Sequence, residues 1–181
     1  MKTIKRLIYT ILMLLAPNKK KYIICNFFYK VNFGENVRIT GFPKWASEPY
    51  LISIGNNVTI TQNVVFHTHD GGVHVLRKQN PGLNIFGKII IGDNVFIGSN
   101  TIILPNIKVG NNVVIGSGSV ITKDIPENSV VVGVPARVIK TIEEYKIDAL
   151  KKGVIVPNNL KGKKREVFIQ NIFDNENSNL Y

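Results

Sequence analysis

The sequence predicts an all-β coil of short stacked strands, three to a turn, with helical segments at either end. Two observations carry this reading. In residues 89–121, IIIGDNVFIGSNTIILPNIKVGNNVVIGSGSVI, an aliphatic residue returns every six positions, at Ile91, Ile97, Ile103, Val109, Ile115 and Ile121. A helix repeats every 3.6 residues and a strand every two, so a six-residue step calls for strand and corner in alternation. Between the aliphatic residues, the second place of a unit is usually Gly and the fourth is Asn in four units of six. Both residues tolerate the positive φ that a tight corner needs. A chain that corners this often becomes a coil whose backbone pairs with the turns above and below, about 4.8 Å away, and three units give a triangular prism of about 18 residues a turn.

The remaining elements follow in chain order. Residues 1–30 form a basic, apolar N-terminal segment with seven basic residues and no acidic one, against +11 for the whole chain of 181 residues. Within it LIYTILMLLA, Leu7–Ala16, is an apolar run of ten residues, about half of the roughly 20 that span a bilayer as a helix. A signal peptide has such charged and apolar parts, but three lysines follow here in place of a small-residue cleavage site. The segment either lies on an anionic cytoplasmic membrane surface or packs its apolar side on the end of the domain. Nucleic acid is not the expected partner, since no zinc-finger spacing is present and the basic residues are not interleaved with aromatics. The lone Cys25 has no internal partner for a disulfide and reads as an apolar filler.

The coil occupies 31–140. FGENVR from Phe33, then IGNNVT and ITQNVV from Ile54, repeat the pattern up to Phe66. Phe66 and Ile91 are 25 apart, off any multiple of six, so an insertion at 67–88 interrupts the coil, and GFPKWASEPYL at 41–51 reads as a smaller one. All three histidines, His67, His69 and His74, lie in FHTHDGGVHVLRKQNPG at 66–82. Their clustering beside Asp70 invites a metal reading, but the spacing in a Gly-rich loop matches no zinc pattern, and no metal is expected. At 141–181, TIEEYKIDALKK reads as a helix and the rest as a tail with no usable motif.

The repeats are followed by a specific ending, GSGSVITKDIPENSVVVGVPARVIK at 116–140. From about Phe33 to Ile142 the sequence resembles the hexapeptide-repeat acyltransferases, in the branch that holds maltose and galactoside O-acetyltransferases and those of bacterial capsule and lipopolysaccharide synthesis. The resemblance implies a left-handed parallel β-helix, a homotrimer with active sites in clefts between subunits, and acetyl-CoA as co-substrate. The implied reaction moves acetyl directly to a hydroxyl of a surface-polysaccharide sugar or its precursor, in the cytoplasm or at the inner face of the membrane. An acetyltransferase of another small acceptor (amino sugar, serine or antibiotic) and a non-catalytic β-helix scaffold are the alternatives.

Residue roles come by the same route. The family's general base is a histidine where the coil opens into its long loop, followed by an Arg or Lys, which THDGGVHVLR matches with His69 and Arg77, with His67 and His74 as the alternatives for the base. A hydroxyl needs a base with a pKa near the working pH, and histidine is that residue. Asp70 would fix its tautomer or else serve as a turn residue before two glycines, and the backbone N–H near Ser99 would meet the thioester oxygen. His67, His74, Arg77 and Phe96 are expected on the acceptor side. Ser117 and Gly118 stand where the pantetheine arm passes, and Thr122, Lys123, Arg137 and Lys140 match the adenine and phosphate end.

Overall fold

The structure, a computed structural model, describes residues 2–177. It opens with two helices, α1 (Lys2–Leu15) and α2 (Lys21–Tyr29). α1 is anchored by Tyr9 and Met13, both buried one turn apart. The Tyr9 ring meets Tyr29 edge-on at 5.0 Å and Phe28 at 5.5 Å. Cys25 is fully buried beneath them, its sulfur 3.7 Å from the Tyr9 hydroxyl and 3.9 Å from the Met13 sulfur, so it fills space as expected. Burial pushes the Tyr9 phenol and the Cys25 thiol above their ordinary pKa values, and both stay neutral.

Short strands follow, two in the first turn and three in the next: β1 (Asn32–Phe33) and β2 (Arg38–Ile39); β3 (Ile52–Ile54), β4 (Thr59–Ile60) and β5 (Val65–Phe66). After the insertion, which contributes β6 (His69–Asp70) and β7 (Ile85–Phe86), come β8 (Ile89–Ile91), β9 (Val95–Ile97) and β10 (Ile102–Ile103), then β11 (Ile107–Val109), β12 (Val113–Ile115) and β13 (Val120–Ile121). Successive strands go to three different sheets in rotation. One holds β1, β3, β8 and β11, a second β2, β4, β9 and β12, and a third β5, β10 and β13, all paired parallel. Ile89 stands opposite Ile107, Val95 opposite Val113 and Ile102 opposite Val120, each pair 18 residues apart. The predicted three-sided turn is therefore present, and Ile91, Ile97, Ile103, Val109, Ile115 and Ile121 all point into its core.

Departures from 18 locate the insertions. Ile52 faces Ile89, Thr59 faces Phe96 and Val65 faces Ile102, 37 residues apart, so the long insertion adds 37 − 18 = 19. Arg38 faces Thr59 and Lys44 bridges to Val65, 21 apart, so three extra residues lie between Lys44 and Ile52. The last turn is shorter: Val109 bridges to Ile125 and Val114 faces Val130, 16 apart.

The corners divide labour between Asn and Gly more sharply than the sequence suggests. Asn36, Asn57, Asn63, Asn94, Asn100, Asn106, Asn112 and Asn128 all have φ between 54° and 61°, and Gly118 takes the same role at 73°. Each occupies the fourth place of its unit. The second-place glycines do not have positive φ. At Gly98 a Cβ would come within 2.5 Å of the Ser117 backbone nitrogen in the turn above, so close stacking, not the corner, demands glycine there. Asn side chains also stack: Asn94 donates to Asn112 at 2.8 Å and Asn112 to Asn128 at 2.9 Å.

β14 (Ser129–Gly133) continues the second sheet, and β15 (Ala136–Thr141) pairs antiparallel on it as its final strand. Helix α3 (Ile142–Lys152) starts at a capping box, the Thr141 hydroxyl accepting from the Glu144 N–H at 3.2 Å and the Glu144 carboxylate from the Thr141 N–H at 2.7 Å. The chain divides into two compact units, Met1–Tyr145 and Lys146–Tyr181. The second unit corrects the sequence reading: a further helix, α4 (Gly162–Asn177), stands where only a tail was expected.

Candidate active site

His69 sits where the coil opens into its long insertion. The strands β6 and β7 form an antiparallel ribbon in which His69 faces Phe86 and Asp70 faces Ile85. The Gly87 N–H donates to the Thr68 carbonyl at 2.8 Å and closes the ribbon onto the coil. The ring is held from a second side. Its Nδ1 is 3.0 Å from the Ser47 hydroxyl and 3.2 Å from a Glu48 carboxylate oxygen. That same oxygen accepts from the Ser47 hydroxyl at 2.7 Å and the Thr68 hydroxyl at 3.2 Å.

These partners assign the tautomer. The Ser47 hydrogen is spent on Glu48, and hydrogen bonds hold the Glu48 carboxyl below the usual carboxylate range, the Ser47 bond first, against a smaller desolvation effect. Glu48 therefore only accepts, and in the neutral ring Nδ1 carries the hydrogen while Nε2 keeps its lone pair. The His69 side chain is 42% exposed.

Asp70, expected beside the base, serves the turn instead: its carboxylate accepts from the Gly72 N–H at 2.8 Å and starts the 3₁₀ turn Gly71–Leu76. Adjacent residues of an extended strand point to opposite sides, which is why the neighbour in sequence is not the neighbour of the ring. Ser47 and Glu48 were not singled out from sequence. They lie in the three-residue insertion, and only the 21-residue register of that turn brings them under His69.

A cleft of about 480 Å³ opens at His69, lined by His67, His69, Asp70, Asn106 and Thr122, with Leu104 and Ile85 as apolar wall. Thr122 belongs here and not with Arg137 and Lys140, because it follows β13, which is stacked on β10, and so stands over Leu104. Arg137 and Lys140 share β15, and the exposed Lys123 follows Thr122. His74 is exposed on the 3₁₀ turn. Arg77 binds the Leu83 carbonyl at 3.0 Å and the Asn84 side chain at 2.8 Å, tying the loop to itself. Phe96 lies on the second sheet between Thr59 and Val114, in a smaller cleft of about 220 Å³. Ser99 and Ser117 meet at the corner before the third sheet, the Ser99 N–H donating to the Ser117 hydroxyl at 3.1 Å. None of Ser99, Ser117, Gly118 or Phe96 lines the histidine cleft of the same chain. Among the described residues no group of three or more His, Cys, Asp or Glu side chains is gathered to hold a metal ion.

Residues 88–123 match the family model for bacterial transferase hexapeptide repeats (six repeats). Protein CapG of Staphylococcus aureus is 55% identical over 122 residues, 66% of this chain and 71% of that protein. The chain belongs to the hexapeptide-repeat acyltransferases. Galactoside O-acetyltransferase of Escherichia coli K12 is 40% identical over 118 residues, which are 62% of this acyltransferase and 58% of that relative. Among solved structures, a maltose O-acetyltransferase from Clostridium difficile 630 superimposes with a TM-score of 0.51 at 31% identity, covering 77% of this chain and 87% of its own. The acyltransferase thus shares its fold with that solved structure, and its His69 cleft stands at the long insertion between β5 and β8.

Proposed function

We propose that the protein is an O-acetyltransferase that moves acetyl from acetyl-CoA to a sugar hydroxyl of a bacterial surface polysaccharide or its precursor, working as a homotrimer of left-handed β-helices. The observation that carries this reading is His69, held through Nδ1 by Glu48 and Ser47 and lining a polar cleft. Its membership of the family and the sugar O-acetyltransferases among its relatives support the acceptor class.

Acetyl-CoA supplies the activated acyl group as a thioester. His69 Nε2 takes the proton of the acceptor hydroxyl as its oxygen attacks the thioester carbon, and returns that proton to the departing thiolate. Glu48 stabilises the imidazolium formed between those two transfers. His67, Asn106 and Thr122 offer hydrogen bonds to a sugar in the cleft. The Ser99 N–H donates to the thioester oxygen once the Ser117 hydroxyl, on an exposed corner, rotates away. At Gly118 a Cβ would find open space, so that corner leaves room for a pantetheine arm, and Arg137, Lys123 and Lys140 supply cations toward phosphate. Because the Ser99 corner and the His69 cleft are separate in one chain, a complete site joins His69 of one subunit to the corner of the next.

The test is thiol release from acetyl-CoA against a panel of sugars, nucleotide sugars and polysaccharides. Turnover with an acceptor is expected, and His69→Ala should reduce it by about 10²–10⁴-fold while CoA still binds. Full activity in that variant would reject His69 as the base, and failure of the wild type to bind CoA would reject the acyltransferase chemistry.

A further inference from the structure

Helix α1 turns its broad apolar side away from the molecule. Tyr9 and Met13 occupy the packed side. Ile4, Leu7, Ile8, Ile11, Leu14 and Leu15 recur at helical spacing on the other, each 46% to 78% exposed. An amphipathic helix on a globular domain normally does the reverse and presents its polar side to water. Of the two roles read from sequence for this segment, packing on the domain engages only the Tyr9 and Met13 side. The aliphatic stripe is left over.

Charge selects what covers it. Residues 1–30 carry seven basic residues and no acidic one. Lys5 is exposed within α1, its ammonium 5.9 Å from the Phe28 ring, and Lys19 and Lys20 are exposed just beyond its end. A second copy would meet this stripe with the same positive segment. An anionic bilayer instead offers acyl chains to the stripe and phosphates to the lysines. With 14 residues α1 is about 21 Å long, short of the hydrocarbon core of about 30 Å. No helix among the described residues is long and apolar enough to cross a membrane.

We propose that α1 lies flat in the interface of an anionic lipid bilayer, its aliphatic stripe among the acyl chains and the neighbouring lysines at the headgroups. This holds or fails independently of the acetyl-transfer reading. The test is co-sedimentation of the full chain with vesicles of phosphatidylcholine alone and of phosphatidylcholine with phosphatidylglycerol, at low and high salt. Binding is expected to the anionic vesicles and to weaken with salt. A Leu7→Asp, Ile11→Asp double variant should lose it, and a Lys19→Glu, Lys20→Glu variant should weaken it about tenfold or more, both with unchanged far-ultraviolet circular dichroism. The proposal is overturned by a wild type that stays in the supernatant, by a stripe variant that binds as well as wild type, or by a stripe variant whose oligomeric mass falls, which would make the stripe an interface between copies.

Discussion

Glu48 accepts from Ser47, Thr68 and His69 through a single carboxylate oxygen, and its folded pKa lies below that of the unfolded chain. A depressed carboxylate contributes stability that is fully present above the unfolded value of about 4.3 and is lost as pH falls through the folded value. Thermal stability of the wild type should therefore exceed that of Glu48→Gln near neutrality, with the gap closing below about pH 4. On activity, if His69 is the base as proposed, Glu48→Gln should lose part of the roughly 10²–10⁴-fold that general-base catalysis supplies, with acetyl-CoA binding unchanged. An equal fall in both would make Glu48 a general scaffold residue. The position of His69 at the opening of the insertion was legible in the sequence because it stands at a break in a strong period. Glu48 was not, since its nearness to His69 depends on a register 21 residues long that no local pattern encodes.

At the scale of the corner, Asn112 combines a φ of 54° with two stacked amide bonds, from Asn94 and to Asn128. Replacing it with Gly removes the bonds and keeps the conformation, whereas Ala removes both. Denaturant unfolding should show Asn112→Ala less stable than Asn112→Gly by about 1–2 kcal/mol, and equal stabilities would mean that the amide ladder alone matters. The positions of strands and corners were readable because the six-residue period samples each face three times over. The role of the second-place glycines was misread as a turn requirement, because a close approach between turns 16 to 38 residues apart leaves no trace in a six-residue unit. Helix α4 escaped notice for a different reason: GKKREVFIQNIFDNEN has no clean apolar stripe to give it a period.

For the whole molecule, the site we propose to be shared between subunits is testable by complementation. On that proposal His69→Ala would spoil one half of each site and Gly118→Arg, on the exposed corner, the other. Trimers assembled at random from equal amounts of the two inactive variants should recover about a quarter of the wild-type sites, whereas a site built within one chain would recover none. Charge segregation and the inserted loop were visible in the sequence at this scale, while the direction in which α1 turns its apolar side was not. The end of the second sheet carries a last consequence. Every strand below it runs parallel, and such a stack is by nature extendable: a bare parallel edge invites the next copy to add on. β15 returns antiparallel across β14 and leaves a reversed edge that does not continue the stack. The other end of the coil is covered, the Ile39 N–H donating to the Asn18 carbonyl at 3.0 Å, so a chain truncated after Gly133 should self-associate through the one bared edge, seen as a doubled mass by light scattering at high concentration; a truncated chain whose mass is unchanged would mean that the edge is guarded by something other than β15.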